Sequence, residues 1–303
     1  MDVVVRERDL LGEGPAYDAV NARLLRVDYL RGWVRELRWA ADAGWEVGLT
    51  WELGQLASAV VPNAGGGLLV VGGTTVVALA DDGGRELFAS LGDDVSAMCL
   101  NDAKCDPDGR LVVGWVVPDG RGRGGAVRVD GDGCVEPIVR DVGYANGLDW
   151  SPDGGTFYLV DTLARHVHAF DYDSAGGLLA NPRTLLRIER GVGAPDGMAV
   201  DDEGCLWVAV PYAGEVRRYA PDGSLVETIE TPTRMPTSCA FAGPDGRQLF
   251  ITSQSRGLLS PGEANELEIA QDRIEAGHRD PLAGAVFVCR PGVSGPPARP
   301  FGA

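Results

Sequence analysis

A unit of tight turn followed by a strand-forming run returns along this chain, and no other feature constrains its fold as strongly. The clearest copies are CDPDGRLVVGWV (residues 105–116), WSPDGGTFYLVD (150–161), VDDEGCLWVAV (200–210) and FAGPDGRQLFITS (241–253). Their D-G and G-G dipeptides supply the positive φ values that two-residue hairpin turns demand. The runs that follow are rich in β-branched and aromatic residues and read as inner or middle strands of a sheet. A second set, GAVRVD (125–130), HVHAFDYD (166–173), EVRRYAPDG (215–223) and AVFVCRPG (285–292), alternates apolar and polar residues and reads as their outer partners.

Units of this length cannot bury an apolar face alone and do so by stacking on their neighbours. Counting them places six, near residues 15–40, 58–90, 100–138, 146–187, 196–230 and 237–290. The expected fold is all-β, a single six-bladed β-propeller domain spanning 1–303. The 43 glycines and 19 prolines suit many short strands and disfavour long helices, and 303 residues at 45% hydrophobic content suffice for a large core. DVVVRE at the N-terminus is a spare strand that can pair with the last blade and cover its edge. SPGEANELEIAQDRIEAGHRDPLAG (260–284) lacks strand alternation and is expected to insert one or two short helices into that blade, as a solvated excursion or as cover for the channel.

A formal net charge of −17 argues against nucleic acid and anionic membrane partners, since both need a basic footprint. No run of 18 apolar residues is present, so no membrane-spanning helix is expected. The six cysteines form no C-x-x-C pair and the first residues, MDVVVRERDL, do not resemble a signal peptide, from which a cytoplasmic protein with reduced thiols is expected.

A propeller brings residues distant in sequence to one axis, so a site should recur at equivalent points of successive blades. Glu13 in LGEGP, Asn101 in LNDAKCDPDGR, Asn146 in ANGLDW and Asp196 in APDGMAVDDEG stand at such points. Each alone also fits an ordinary turn residue, because Asn and Asp before Gly tolerate left-handed backbone. Two carboxylates and an amide oxygen are nonetheless a donor set that a hard divalent cation accepts.

These motifs, in the order LGEGP, NDAKCDPDGR, ANGLDWSPDG with FDYD after it, PDGMAVDDEGCLWVA and PLAGAVFV, resemble the regucalcin and gluconolactonase family of metal-dependent lactonases along nearly the whole chain. The resemblance implies one divalent metal ion at the end of the central channel, held by Glu13, Asn146 and Asp196. Calcium is the ion it favours, and zinc, manganese or magnesium suit the same oxygens. It implies Asn101 as a substrate ligand and Asp196 as general base toward the attacking water. Asp102 reads either as a substrate or supporting contact or as a plain strand-start residue.

Two departures from the family pattern bear on the substrate. Cys99 stands where an Arg is common, and the family's G-T-M run is replaced by Gly114, Trp115 and Val116, so Cys99 and Trp115 are expected to make the pocket less polar than a sugar lactonase's. Asp119, with Arg121 and Arg123 on the same turn-rich loop, is a further candidate for substrate contact. His166 and His168 share one face of a strand but lie on a presumed outer one, and His278 falls in the irregular insertion. No G-x-S-x-G elbow, phosphate loop, haem or flavin motif occurs.

The expected function is opening of a lactone or related cyclic ester, on a small-molecule substrate other than a typical sugar lactone. Two alternatives remain: a repurposed enzyme that isomerises, cyclises or cleaves a nonsugar carbonyl compound, and a noncatalytic propeller binding a metal or a partner.

Overall fold

The computed structural model describes residues 1–91, 98–117, 123–256 and 267–303. It contains six antiparallel sheets of four strands each, arranged as blades of a β-propeller. Blade I is β2 (Gly12–Asp18), β3 (Arg23–Asp28), β4 (Trp33–Ala40) and β5 (Gly44–Glu52); blade II is β6 (Ala59–Pro62), β7 (Leu68–Gly72), β8 (Thr75–Leu79) and β9 (Arg85–Ser90). Blade III is β10 (Cys99–Cys105), β11 (Leu111–Val116), β12 (Gly124–Val129) and β13 (Val135–Val142); blade IV is β14 (Ala145–Trp150), β15 (Thr156–Asp161), β16 (His166–Asp173) and β17 (Leu178–Arg187). Blade V is β18 (Met198–Val200), β19 (Leu206–Val210), β20 (Glu215–Tyr219) and β21 (Leu225–Glu230). Blade VI joins β22 (Pro236–Ala242), β23 (Gln248–Ser253) and β24 (Val286–Cys289) to β1 (Asp2–Val5), which pairs antiparallel with β24 and closes the ring as the spare N-terminal strand was expected to.

Two sequence assignments need correction. The alternating runs are third strands, and the outermost position belongs to β13, β17, β21 and β1. Blade I runs on to Glu52, because GWEVGLTWE, apart from Trp51, leaves its side chains at least partly exposed and carries no D-G signal. The insertion contains α1 (Gln271–Arg279), whose Ile274 packs with Leu267 and Ile269 against Met235. The earlier part of the insertion, 260–266, the three residues before it and the side chain of His278 lie outside the described residues, as do Asp119 and Arg121. No described helix is long and apolar enough to cross a membrane.

The core is a series of apolar seams, one between each pair of neighbouring blades. Trp150 and Phe157 fill the seam between blades III and IV, while Trp207, Phe241 and Phe287 fill that between V and VI. Full burial of each such side chain contributes about 1.5–3 kcal/mol. The D-G turns are tied by buried carboxylates: Asp106 accepts from the Asp108 and Arg110 amides, the Arg110 guanidinium and the Tyr172 hydroxyl. Asp201 plays the same part in blade V, accepting from the Glu203 and Cys205 amides, Trp207 Nε1 and Arg218.

The C-terminal tail crosses from blade to blade. The Ser294 carbonyl accepts from the Asp202 amide, Ala298 N donates to Tyr17 O, Phe301 N to Pro62 O and Gly302 N to Gly109 O. Pro296, Pro297 and Arg299 thereby line a cavity with Asp102, Lys104 and Asp149.

Candidate metal and substrate cup

The inner strands that carry the candidate residues break their pairing register at those residues. The shifts fall between Glu13 and Ala16 in β2, between Leu100 and Ala103 in β10, and between Ala145 and Leu148 in β14. A bulge of this kind re-aims side chains, here Glu13, Asn101 and Asn146. Asp196 precedes β18, its amide donating to Ala209 O while Ala209 N donates to Gly197 O. The small residue after Asn146 is a steric requirement: a Cβ on Gly147 would stand 2.6 Å from both the Asp196 carbonyl oxygen and Met198 N.

The loops entering two of these strands are held by acids that end the second strand of the same blade. Asp28 accepts from the Leu10 and Leu11 amides, and Asp161 from the Gly143 and Tyr144 amides. One loop leads to Glu13 and the other to Asn146.

Glu13, Asn101, Asn146 and Asp196 line one cup with about 680 Å³ of empty space, open on one side. Asn101 Nδ2 donates to Asn146 Oδ1 at 2.7 Å and to Ala145 O at 2.8 Å. Asn146 Nδ2 donates to Thr162 Oγ1 at 2.9 Å, and that hydroxyl donates to Pro195 O at 2.8 Å. This chain fixes the Asn146 amide so that its carbonyl oxygen keeps a second lone pair for a ligand.

Burial, and then the charges of Asp196 and Asp102, pushes the Glu13 carboxyl well above the usual range; burial and Asp102 do the same to Asp196. No positively charged side chain is among the groups that shift either carboxyl, and among the described residues neither Lys nor Arg lines the cup. A buried and a half-buried carboxylate without a counter-charge among the described residues, beside an oriented amide oxygen, fit a hard divalent cation. Among the described residues no cluster of three or more His, Cys, Asp and Glu is placed to hold a metal, so the fit depends on Asn146 as the third donor.

The other expected residues are placed elsewhere. Asp102 lines the cavity on the tail side, its carboxyl pushed up to about 6 by burial against the pull of Lys104. Lys104 itself pairs with Asp149 at 2.6 Å and donates to Met198 O. Trp115 does not line the cup: Leu111, Val113 and Trp115 alternate onto one face of β11 and pack in the seam between blades II and III. Cys99 is also absent from the lining, although its thiol stands near Tyr29, whose hydroxyl is pushed up to about 12 mainly by burial. Arg123 donates to Asp141 O on the outer side of blade III. His166 and His168 meet edge to face along β16, their ring centroids 5.7 Å apart, outside the cup.

The wall of the cup comes from residues that the motifs did not single out. Tyr29, Thr162, Pro211 and Gln254 each directly follow the second strand of a blade, after β3, β15, β19 and β23. That shared position was the available signal. Leu163, Ala194 and Tyr212 complete one side and pack in a single cluster with Leu267, Ile269 and Met235, so the last-blade insertion buttresses the wall.

Residues 11–255 match the SMP-30/Gluconolactonase/LRE-like region. Regucalcin of Sus scrofa is 32% identical to this chain over 99% of its length and 98% of the relative's. Among solved structures, a luciferin-regenerating enzyme superposes with a TM-score of 0.85 at 26% identity, covering 98% of this chain and 96% of the other. A calcium-binding protein, regucalcin, from Agrobacterium tumefaciens does so with a TM-score of 0.84 at 27% identity, covering 99% and 96%. On these grounds the chain belongs to the SMP-30/gluconolactonase/LRE-like family.

Proposed function

We propose that this protein, a single-domain propeller, is a metal-dependent hydrolase that opens a lactone or related cyclic ester other than a typical sugar lactone. The observation that carries the reading is the pair of carboxylates, Glu13 buried and Asp196 half-buried, set with the oriented Asn146 oxygen in a cup without a positive side chain among the described residues. Glu13, Asn146 and Asp196 would hold one divalent ion, calcium by preference in keeping with the calcium-binding relative. When bound, such an ion supplies Lewis-acid polarisation of a carbonyl.

The chain's own residues do the rest. Asn101 orients the substrate through its Oδ1, its Nδ2 being taken by Ala145 O and Asn146 Oδ1. Asp196 takes a proton from water as the water oxygen bonds to the lactone carbonyl carbon. The ring C–O bond then breaks, the proton passes to the leaving alkoxide, and a hydroxy acid results. Leu11, Leu163, Ala194 and the phenol rings of Tyr29, Tyr144 and Tyr212 favour a neutral substrate with more apolar surface than an aldonolactone. The six unpaired thiols support a cytoplasmic location.

The test is proton release from a lactone panel, from gluconolactone to alkyl and aryl lactones. Asp196→Asn, folded by circular dichroism, should lose about 10²–10⁴-fold in rate. Full activity in that variant would remove Asp196 as the base. No turnover of any lactone by metal-loaded protein would replace hydrolysis with a different reaction on a nonsugar carbonyl compound.

A further inference from the structure

We infer that Gln254 is a specificity-determining residue of the cup, its side-chain carbonyl accepting a hydrogen bond from a hydroxyl or N–H on the substrate. Gln254 lines the cup at the end of β23 and is only 5% exposed. Its Oε1 is buried and has no hydrogen-bond partner. Leaving such an acceptor unpaired costs about 1–3 kcal/mol, so a buried amide without a partner needs a reason. The position supplies one. Gln254 is blade VI's counterpart of Tyr29, Thr162 and Pro211, each directly after a second strand and each facing the same cup.

The backbone rules out a structural role for the amide as a turn or cap. Gln254 N already donates to Met235 O, and the residue bridges Leu11 across the blade I–VI boundary. The main chain is therefore satisfied without the side chain, which is left to turn its Oε1 to a ligand in the cup. Among the described residues the rest of the wall is apolar or phenolic apart from Thr162, whose hydroxyl is already engaged by Asn146 and Pro195, and none is Lys or Arg. The substrate class that completes the cup is a neutral, largely apolar cyclic ester carrying one hydrogen-bond donor away from the reacting carbonyl.

This inference rests on the lactonase reading for its substrate but not for its binding test. The first measurement is kcat/KM on a matched pair of aryl-substituted γ-lactones, one with a ring hydroxyl and one with hydrogen in its place. A satisfied buried acceptor of about 1–3 kcal/mol gives the wild type a preference of about 5–150-fold for the hydroxylated ring. Gln254→Leu should bring that ratio to about one.

The second measurement is calorimetric binding of the corresponding cyclic ketones, which cannot be hydrolysed, with the melting temperature of each ligand-free protein. The hydroxylated ketone should bind wild type more tightly and lose that advantage in Gln254→Leu, whose melting temperature should equal or exceed the wild-type value. Lactones left intact alongside this ketone preference would defeat the lactonase reading and uphold the role of Gln254. Equal binding of both ketones by wild type, or a fall of several degrees in the melting temperature of Gln254→Leu, would overturn it.

Discussion

Gly147→Ala tests how closely the inner strands approach the axis. The new Cβ would lie 2.6 Å from Asp196 O and Met198 N and 2.8 Å from Met198 Cγ. Two of these three atoms are backbone, and ordinary contact, at 3.4 Å or more, needs them to recede by about 0.8 Å, so the strain cannot be relieved by one side-chain rotation. Overpacking of this kind costs about 1–3 kcal/mol. At about 2–4 °C per kcal/mol, the melting temperature falls by about 2–12 °C. The displaced backbone belongs to Asp196 and the substituted residue adjoins Asn146, so calcium affinity should fall with stability. Gly131→Ala is the control: a Cβ there meets nothing within 4 Å and its φ is not positive, so it should be neutral or stabilising by about 0.4–1 kcal/mol. Scanning calorimetry and calcium titration of both variants decide the matter. Gly147→Ala with wild-type melting and wild-type calcium affinity would refute the close approach and the coupling drawn from it.

Other consequences follow from the same geometry. Thr162→Val removes the acceptor that orients Asn146, and calcium affinity should fall by about 10–100-fold in titration calorimetry while the fold persists. Glu13, Asp196 and Asp102 all have carboxyls raised by burial, so the native state binds more protons than the unfolded chain. Metal-free protein should therefore lose stability as pH rises through the window from 3.8 to about 6 set by Asp102, which Lys104 faces. Saturating calcium should weaken or reverse that trend, as chemical denaturation at pH 4.5 and 7 would show. Lys104→Met leaves Asp149 without its cation; because Lys104 is 29% exposed, the expected loss is about 1–3 kcal/mol, below that of a fully buried pair. Unchanged denaturation would show that the pair contributes nothing.

The blades were legible because their turns carry D-G signals and their second strands are continuous apolar runs, as in LVVGWV and TFYLVD. Strand β5 escaped because its faces are mostly exposed and its sequence, GWEVGLTWE, mixes glycine and charge. Glu13, Asn101, Asn146 and Asp196 could be picked out because each adjoins a glycine or a second polar residue where an inner strand begins. Trp115 was expected at the pocket from the family's G-T-M run, whereas counting by two from Leu111 puts it on the inter-blade face. Gln254, Tyr29 and Pro211 carry no local motif, and only alignment of the second-strand ends across blades reveals their common address. The tail's path over four other blades depends on backbone hydrogen bonds that leave no mark on composition.

The most direct test of the account is to strip the protein of metal and add back calcium in measured increments while recording ring opening of an aryl lactone. Activity that is absent at the start and rises to a plateau at one ion per chain, with the plateau lost in Glu13→Gln and Asp196→Asn, is the predicted result. Turnover that persists in the stripped protein, or calcium binding that neither substitution weakens, would contradict it.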